Sequence, residues 1–241
     1  MTYRNRYENK FLVPEDVAQA VLRRVQPFVA PDPHGAHRPD HSYPICSLYL
    51  DDTRHALYRE TIEGQPHRYK LRVRAYDDEP HSPLFLEIKR RHDRVVQKLR
   101  CRIPRALLQG VLNGEAVLLP DPTTERLASL AEFTRLTLLR RAMPTVLVRY
   151  QRQAYIGLDD SEVRVTVDRR LCALPMREPL VTMQGPFVAV PNDRVILELK
   201  FTDRMPPWMA AAIRDRELLR LSYSKYCTSL DALARFGAAA S

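Results

Sequence analysis

The sequence predicts an α+β protein in which an antiparallel β-barrel forms a tunnel and is flanked by helices. Two patterns lead to this fold class. Some short segments alternate apolar and charged residues, which is the period of a strand with one apolar and one polar face. Other segments repeat apolar residues every three or four positions, as amphipathic helices do. The strand-like segments with a basic polar face cover residues 69–74, 86–89, 98–103, 163–168 and 196–200.

The first predicted elements are a strand over residues 6–13 and a helix that opens at Pro14. Proline suits the first turn of a helix, and the acids Glu15 and Asp16 suit its N-terminal dipole. Next come a loop over 31–44, a strand over 45–50 and a helical turn near Tyr58. A three-stranded meander follows over 68–103, with turns at 80–83 and 91–94, and then helices over 105–112 and 124–141. The last predicted elements are strands over 145–155, 163–168 and 195–201 and helices over 208–221 and 228–236. The apolar stripe of the 124–141 helix is Leu127, Leu130, Phe133, Leu136 and Leu139.

The composition favours an anionic partner. The 241 residues include 38 Lys and Arg against 29 Asp and Glu, a formal net charge of +9. Such a balance suits nucleic acid, phosphate esters or an anionic membrane surface, and it does not choose among them. Because no Pro-, Gly- or Ser-rich linker divides the chain, we expect one domain over residues 1–241.

The four cysteines and the N-terminus point to a soluble cytoplasmic protein. Cys46, Cys101, Cys172 and Cys227 are widely spaced, without the paired pattern of a zinc site, so they are interpreted as reduced thiols. The N-terminus lacks the apolar core of a signal peptide, and no stretch approaches the roughly 18 apolar residues of a membrane-spanning helix.

The charged strand faces allow two interpretations. In an ordinary antiparallel sheet the polar face meets water. Solvated surfaces usually mix both signs, however, whereas these faces are biased towards Lys and Arg. About eight strands are enough to close a barrel, and closure with the apolar faces outward would place the charges inside. Like charges about 4 Å apart repel by roughly 4 kcal/mol at an effective dielectric near 20, so such an interior calls for an anion and a divalent cation.

Nine short motifs follow one another in a characteristic order along nearly the whole chain, although each motif alone is a weak sign of a family. They are RYENK at residues 6–10, SLYLDD at 47–52, KLRVRAY at 70–76, LEIK at 86–89, KLR at 98–100, RYQRQAY at 149–155, VRVTVD at 163–168, ILELK at 196–200 and SKY at 224–226. In this order the chain resembles the catalytic domain of the vacuolar transporter chaperone (VTC) family. That domain is a polyphosphate polymerase within the triphosphate tunnel metalloenzyme superfamily.

The resemblance implies a barrel tunnel that binds ATP and polyphosphate, with Mn²⁺ or Mg²⁺ on an acidic residue. Relatives transfer the γ-phosphate of ATP to a growing polyphosphate chain. The residues matched to the catalytic set are Arg72, Arg74, Lys89, Lys98, Arg152 and Lys200. Those matched to further phosphate-binding positions are Lys10, Lys70, Arg100, Arg164 and Lys225. Glu198 matches the metal ligand. No nucleic-acid partner is expected, and the oligomeric state stays open.

The chain also departs from its relatives. Arg6 replaces the first Glu of the ExExK motif found in the hydrolase and cyclase branches, which makes a two-metal hydrolase less favoured. The SPX domain and membrane helices of the eukaryotic proteins are not in this sequence. We therefore expect a stand-alone, bacterial version whose coupling to a membrane would need a separate partner. A triphosphate hydrolase and a non-catalytic polyanion-binding module remain the alternative functions.

Several residues keep two interpretations. The Lys70, Arg72 and Arg74 face could be solvated, Glu87 with Lys89 could be a surface pair, and Glu198 with Lys200 a structural pair. Asp168 could brace Arg164 or another arginine, or bind metal. Tyr76 and Tyr150 are interpreted as packing residues rather than base-stacking ones. Arg149 is uncertain, because three residues separate it from Arg152 and a regular strand would turn the two to opposite faces. Arg90 and Arg91 are assigned to a turn, and no role is assigned to the histidines.

Overall fold

The computed structural model describes residues 6–92 and 95–239, with the side chains of Arg6, Ala238 and Ala239 outside that description. Ten strands and six α-helices lie within these residues. In chain order they are β1 (Arg6–Val13), α1 (Glu15–Val25), β2 (Val29–Pro31), β3 (Ser42–Asp51), α2 (Ala56–Ile62), β4 (His67–Ala75), β5 (Leu84–His92), β6 (Val95–Ile103), α3 (Leu108–Asn113), α4 (Thr124–Arg140), β7 (Met143–Gly157), β8 (Arg164–Pro175), β9 (Val188–Ala189), β10 (Val195–Thr202), α5 (Pro207–Arg214) and α6 (Lys225–Ala239).

One antiparallel sheet contains all the described strands. Its order is β1-β10-β8-β7-β3-β4-β5-β6, and the short strands β2 and β9 pair with β7 and β8. The expected closed barrel is wrong, because no ladder joins the edge strands β1 and β6 within the described residues. The sheet nevertheless curls until Lys89 Nζ of β5 lies 2.8 Å from Glu8 Oε2 of β1. Side chains, not backbone hydrogen bonds, therefore join the two sides of the fold.

The free edge strand β6 explains why the sheet can stay open. Lys98, Arg100 and Arg102 alternate along it and leave their charge in or near solvent. Charged side chains on an edge strand discourage pairing with another strand. The same residues that make the concave side basic thus oppose closure of the barrel.

Helices cover the convex side of the sheet, as the apolar strand faces predict. Helix α4 places Leu130, Phe133 and Leu136 in an apolar cluster with β3, β4 and β5, and α2 and α3 join the same cluster. Helix α1 and helix α5 pack in a second cluster against β1, β8 and β10. Burial of these faces fixes which side of every strand carries the charges.

Helix α6 packs into the concave side. Its Tyr226 is 1% exposed and clusters with Tyr49, Tyr150 and Ile196 of the concave face. Tyr226 Oη donates a hydrogen bond of 2.6 Å to Asp51 Oδ2 at the end of β3. The C-terminal helix therefore occupies one end of the concave side and is fastened there.

Two sequence expectations about helices need correction. Leu127 and Leu139 of the predicted stripe are exposed, because steps of three residues drift by about 60° per step around an α-helix and the stripe rotates off the sheet. The predicted helix over 208–221 ends at Arg214 in α5. Glu217 takes a left-handed conformation (φ 48°), and Leu218 N–H donates to Ile213 O, which is how a helix end caps its carbonyls.

Several boundaries also shift. Strand β5 continues to His92, so Arg90 and Arg91 lie in a strand and not in the predicted turn. Strand β3 begins at Ser42, which shortens the predicted 31–44 loop. Helix α6 begins at Lys225 rather than residue 228, so Lys225 lies in its first turn. None of the described helices is long and apolar enough to cross a membrane. The single-domain organisation stays a prediction.

Candidate phosphate-binding site

The strand register places the charged residues on one continuous face. Glu8 lies opposite Lys200, and Lys10 lies opposite Glu198, across β1 and β10. Arg72 lies opposite Glu87 across β4 and β5. The concave side forms a cavity of about 1000 Å³ that is partly open to solvent. All twelve residues assigned from the sequence line it: Lys10, Lys70, Arg72, Arg74, Lys89, Lys98, Arg100, Arg152, Arg164, Glu198, Lys200 and Lys225.

The cavity is strongly basic. Among the described residues that line it are the eleven cationic side chains assigned from the sequence, against four carboxylates. Those carboxylates belong to Glu8, Asp32, Glu162 and Glu198. Arg90 also borders the cavity, but its guanidinium pairs with Glu132 of α4 on the convex side. The interpretation of these strands as an ordinary solvated face is therefore not supported by the fold, because the charges converge on one concave cavity.

Glu87 is the centre of one group of charges, here called the Glu87 cluster. Its carboxylate is 0% exposed and lies 2.6 Å from Arg72 Nη2 and 2.6 Å from Lys98 Nζ. Arg100 Nε and Arg74 Nη2 approach it at 3.4 and 3.5 Å. Burial alone would raise the pKa of Glu87, but Arg74, Arg72 and Lys98 hold that pKa well below its usual range. The surface-pair interpretation of Glu87 is wrong: it is a buried counter-ion for four cations.

Glu198 is the centre of a second group, here called the Glu198 cluster. Lys200 Nζ lies 2.8 Å from its carboxylate and Lys225 Nζ 3.0 Å. Lys10 Nζ and Arg152 Nη2 follow at 3.3 and 3.7 Å. Burial opposes ionisation of Glu198, yet these four cations hold its pKa well below the usual range. The predicted metal ligand is therefore a carboxylate surrounded by lysine and arginine.

Asp168 adds a second buried acid to the Glu198 cluster. Its carboxylate accepts two hydrogen bonds from the Arg152 guanidinium, at 2.6 and 2.7 Å, and lies 2.6 Å from Lys225 Nζ. Of the two interpretations for Asp168, the structure supports the arginine brace, although the arginine is Arg152 and not Arg164. Arg164 instead pairs with Asp32. The two acids raise the pKa of Lys225 against the effect of burial, so its ammonium stays charged.

Burial lowers the pKa of Lys98 to about 6 in spite of its contact with Glu87. Two further lysines, between the clusters, also lack sufficient compensation. Burial lowers the pKa of Lys70 to about 7, and the hydrogen bond that its Nζ donates goes to the neutral Ser224 Oγ, 2.9 Å away. Burial likewise lowers the pKa of Lys89 to about 8, although Glu8 partly offsets this effect. A bound anion would supply the negative charge that both ammonium groups need.

Three buried polar atoms on the concave face also lack hydrogen-bond partners within the described residues. Ser47 Oγ, Arg74 Nε and Thr166 Oγ1 are buried and make no hydrogen bond within the described residues. An unpaired buried donor or acceptor costs roughly 1–3 kcal/mol. Of these three residues Arg74 lines the cavity, so an oxygen acceptor of a bound ligand would meet its Nε–H.

The acids fit a metal ion carried by phosphate better than a site made of protein alone. No group of three or more His, Cys, Asp or Glu side chains within the described residues could enclose a metal ion. Glu8 and Glu198 do share Lys10, at 3.1 and 3.3 Å. Mg²⁺ commonly binds through one or two carboxylates together with substrate phosphates and water. These two carboxylates are therefore the residues that fit a phosphate-bound divalent ion.

A smaller cavity adjoins the main one on the side where the sheet is open. Its volume is about 130 Å³, and it shares Glu8, Lys10, Lys70 and Lys89 with the main cavity. Arg68, Arg91 and Arg220 extend its lining. The basic interior thus continues towards the edge strands.

Sequence reasoning placed some residues correctly and missed others. Arg149 lies on the convex side, where its guanidinium contacts Met183 O and the Phe187 ring, so the doubt about its face is confirmed. Glu87 was quoted in a motif but not assigned to the site. Its position between alternating cations on β4 and β6 is the signal that could have identified it.

The chain resembles one protein family and two solved structures. The VTC domain family model matches residues 5–234. A Bacillus halodurans protein provisionally described as an adenylate cyclase has a TM-score of 0.51 and 9% identity, covering 93% of this chain and 96% of its own. The PH1819 protein of Pyrococcus horikoshii has a TM-score of 0.44 and 12% identity, covering 93% and 97%. No curated protein matches. At such identities the first structural likeness concerns the fold alone, and the second carries no argument.

Proposed function

This chain belongs to the VTC domain family, and from that premise we propose that it is a polyphosphate polymerase that transfers the γ-phosphate of ATP to a growing polyphosphate chain. The observation that carries the proposal is the concave cavity, in which eleven cationic side chains face four carboxylates among the described residues. A polyanion that threads through this volume would satisfy those charges along its whole length.

Binding of phosphate is the first task of the cavity. Arginine binds phosphate through a planar fork and lysine as a compact charge. Arg72 and Arg74 follow one another on the concave face of β4, and Lys98 and Arg100 do so on β6. Glu87 holds these four groups in place before any ligand arrives, so the donors need little reorganisation when phosphate binds.

Phosphoryl transfer itself requires positioning and charge neutralisation more than a protein nucleophile. A terminal oxygen of the acceptor chain forms a bond to the γ-phosphorus, and the bond to the β,γ-bridging oxygen breaks. ADP leaves with that electron pair. The cations of the two clusters stabilise the negative charge that spreads over the transferred phosphoryl oxygens.

A divalent cation is part of the proposal, with Mn²⁺ or Mg²⁺ as the candidates. Glu198 would hold it, with Glu8 as the second carboxylate. When bound, such an ion supplies charge neutralisation at the phosphate oxygens. Lys10, which lies between these two acids, would then turn its ammonium towards phosphate.

One assay separates this function from its alternatives. Purified protein is incubated with ATP and Mn²⁺, and the products are resolved into long-chain polyphosphate and free phosphate. We expect polyphosphate, and we expect Arg72→Ala to lose it through weaker binding. Arg135→Ala, which removes an arginine 57% exposed on α4, serves as the matched control and should synthesise normally. Free phosphate alone would indicate a hydrolase, and neither product despite tight binding would indicate a binding module.

A further inference from the structure

An aromatic group lies at one end of the main cavity and has no part in the phosphate chemistry above. His34 stacks on Tyr76 with ring centroids 4.5 Å apart and an interplanar angle of 11°. Tyr43 packs against both rings at centroid distances of 5.4 and 6.1 Å. All three residues line the cavity together with Arg74 and Arg100. Aromatic rings and phosphate-binding cations therefore meet at one place.

The loop that carries His34 is held to the sheet. Asp32 is 2% exposed, and its Oδ1 accepts a hydrogen bond of 2.9 Å from the His34 N–H. Its Oδ2 pairs with Arg164, a cavity cation. Gly35 sits so close to the His41 carbonyl that an added Cβ would lie 2.3 Å from that oxygen. The loop conformation is thus specified, and His34 is presented in a defined position.

Tyr76 is likewise fixed to the phosphate-binding residues. Arg100 Nη2 donates a hydrogen bond of 3.0 Å to Tyr76 Oη, and the same guanidinium lies 3.7 Å from the centroid of the Phe85 ring. Tyr76 is partly buried, whereas His34 is exposed. Tyr76 stacks on one face of the His34 ring and Tyr43 approaches it at an interplanar angle of 41°, while His34 as a residue stays exposed to solvent.

We propose that His34, supported by Tyr76, is a stacking platform for the base of the nucleoside triphosphate. This inference rests on the proposed function and adds the site for the nucleoside end of the donor. A base stacked on His34 would leave its triphosphate directed towards Arg74 and Arg100. Stacking on an aromatic ring tolerates every base because each base has a π-face. We expect purine nucleotides to bind better than pyrimidine nucleotides, since their ring system is larger.

The test compares two ligands that differ by the nucleoside. Affinities for ATP and for inorganic triphosphate are measured by calorimetry on the full chain, in low salt with a chelator to prevent turnover. His34→Ala should weaken the affinity for ATP about 5- to 100-fold, which is the range expected when one base stack is lost. Its affinity for inorganic triphosphate should stay within about twofold, which also shows that the variant is folded.

Two further variants separate stacking from charge. His34→Phe keeps a flat ring without a titratable group and should retain most ATP affinity. His37→Ala changes another exposed histidine of the same loop that does not line the cavity, and should bind both ligands as the original chain does. Equal loss of both ligands in His34→Ala, no change in ATP affinity, or a His34→Phe variant as weak as His34→Ala would overturn the inference. Failure of the unaltered protein to bind either ligand would overturn the proposed function and this inference with it.

Discussion

The Glu87 cluster and the Glu198 cluster have the same arrangement of charges but take their residues from different elements of the fold. Each has a buried glutamate within 4 Å of four cations. The Glu87 cluster comes from three consecutive strands, β4, β5 and β6. The Glu198 cluster combines β1, β7, β8, β10 and helix α6, and its β8 member is the second acid Asp168. One is therefore local in sequence, and the other exists only after the chain has folded.

The two clusters differ in their number of carboxylates and therefore in their net charge. In the Glu87 cluster one carboxylate faces four cations, and Lys98 and Arg100 are 36% and 37% exposed. In the Glu198 cluster two carboxylates share the cations, and Glu8 lies next to it. The first has more cations for each carboxylate, and under the proposed function it would bind phosphate. The second is closer to neutral, and under the same proposal it would hold the phosphate-bound divalent ion.

The largest expected effect is on stability and concerns Glu87→Gln. This change leaves four cations without their buried counter-ion, and loss of one partner from a buried ion pair typically costs about 3–5 kcal/mol. Urea unfolding should show a loss of that size, partly restored by polyphosphate. Glu132→Gln is the matched control, because Glu132 pairs with Arg90 and Arg135 at the surface and should cost less than about 1 kcal/mol. Equal effects of the two changes would contradict the role given to Glu87.

Glu198→Gln should separate chemistry from binding. We expect synthesis to fall at least 100-fold, about 2.7 kcal/mol in activation free energy, while polyphosphate binding is kept or strengthened by the loss of a negative charge. The stability loss should be smaller than for Glu87→Gln, because Asp168 and Glu8 remain beside the same cations. Product analysis and unfolding of both variants provide the measurement. Normal synthesis by Glu198→Gln with Mn²⁺ would show that Glu198 is not the metal ligand.

The lysines between the clusters predict a pH dependence. In the free protein the pKa values of Lys70 and Lys89 are lowered to about 7 and about 8, so both lose protons as pH rises from 7 to 9. A bound anion keeps those protons on, so triphosphate affinity should fall by up to about tenfold per pH unit, or 1.4 kcal/mol, for each lysine. Calorimetry in buffers of different ionisation enthalpy should detect proton uptake at pH 8.

The same two lysines make the folding stability of the ligand-free protein rise with pH, whereas they make triphosphate affinity fall with pH. In the unfolded chain they keep protons up to a pKa near 10.4, so between pH 7 and 10 the unfolded state binds more protons and these two groups favour the folded state as pH rises. Lys70→Gln should reduce the slope of the logarithm of triphosphate affinity against pH by about one, because one of the two titrating lysines is lost. An unchanged slope in that variant would assign the pH dependence to other groups.

The smallest expected effect concerns the attachment of α6. Asp51 of the SLYLDD motif accepts from Tyr226 of the SKY motif, as well as from the backbone N–H groups of Leu57 and Tyr58. Tyr226→Phe removes one hydrogen bond and should cost about 1 kcal/mol of stability. Because Tyr226 is adjacent to Lys225, triphosphate binding at the Glu198 cluster should weaken. The Glu87 cluster should be unaffected, because all its residues lie on strands. Tyr223→Phe is the control, since its buried hydroxyl has no hydrogen-bond partner within the described residues.

Much of the fold and site could be predicted because strand parity is a local property. Tyr69 to Arg74 alternates apolar and basic residues, and burial of the apolar set under α4 necessarily turns Lys70, Arg72 and Arg74 to the other side. The meander of β4, β5 and β6 then follows from its turns. The order of nine motifs identified the family, and the family match over residues 5–234 confirms it.

The tertiary structure decided what depends on distant residues. Alternation gives the face of Glu87 but not its contacts with neighbours on β4 and β6, and it cannot say that Asp168 braces Arg152 rather than Arg164. Whether the edge strands pair depends on the twist accumulated over eight strands, and here β1 and β6 stay unpaired in the described part of the chain. The insertion of α6, which brings Lys225 within 3.0 Å of Glu198, depends on packing between residues far apart in the chain. Local sequence thus fixed which residues are charged and which way they point, whereas long-range packing fixed which charges meet.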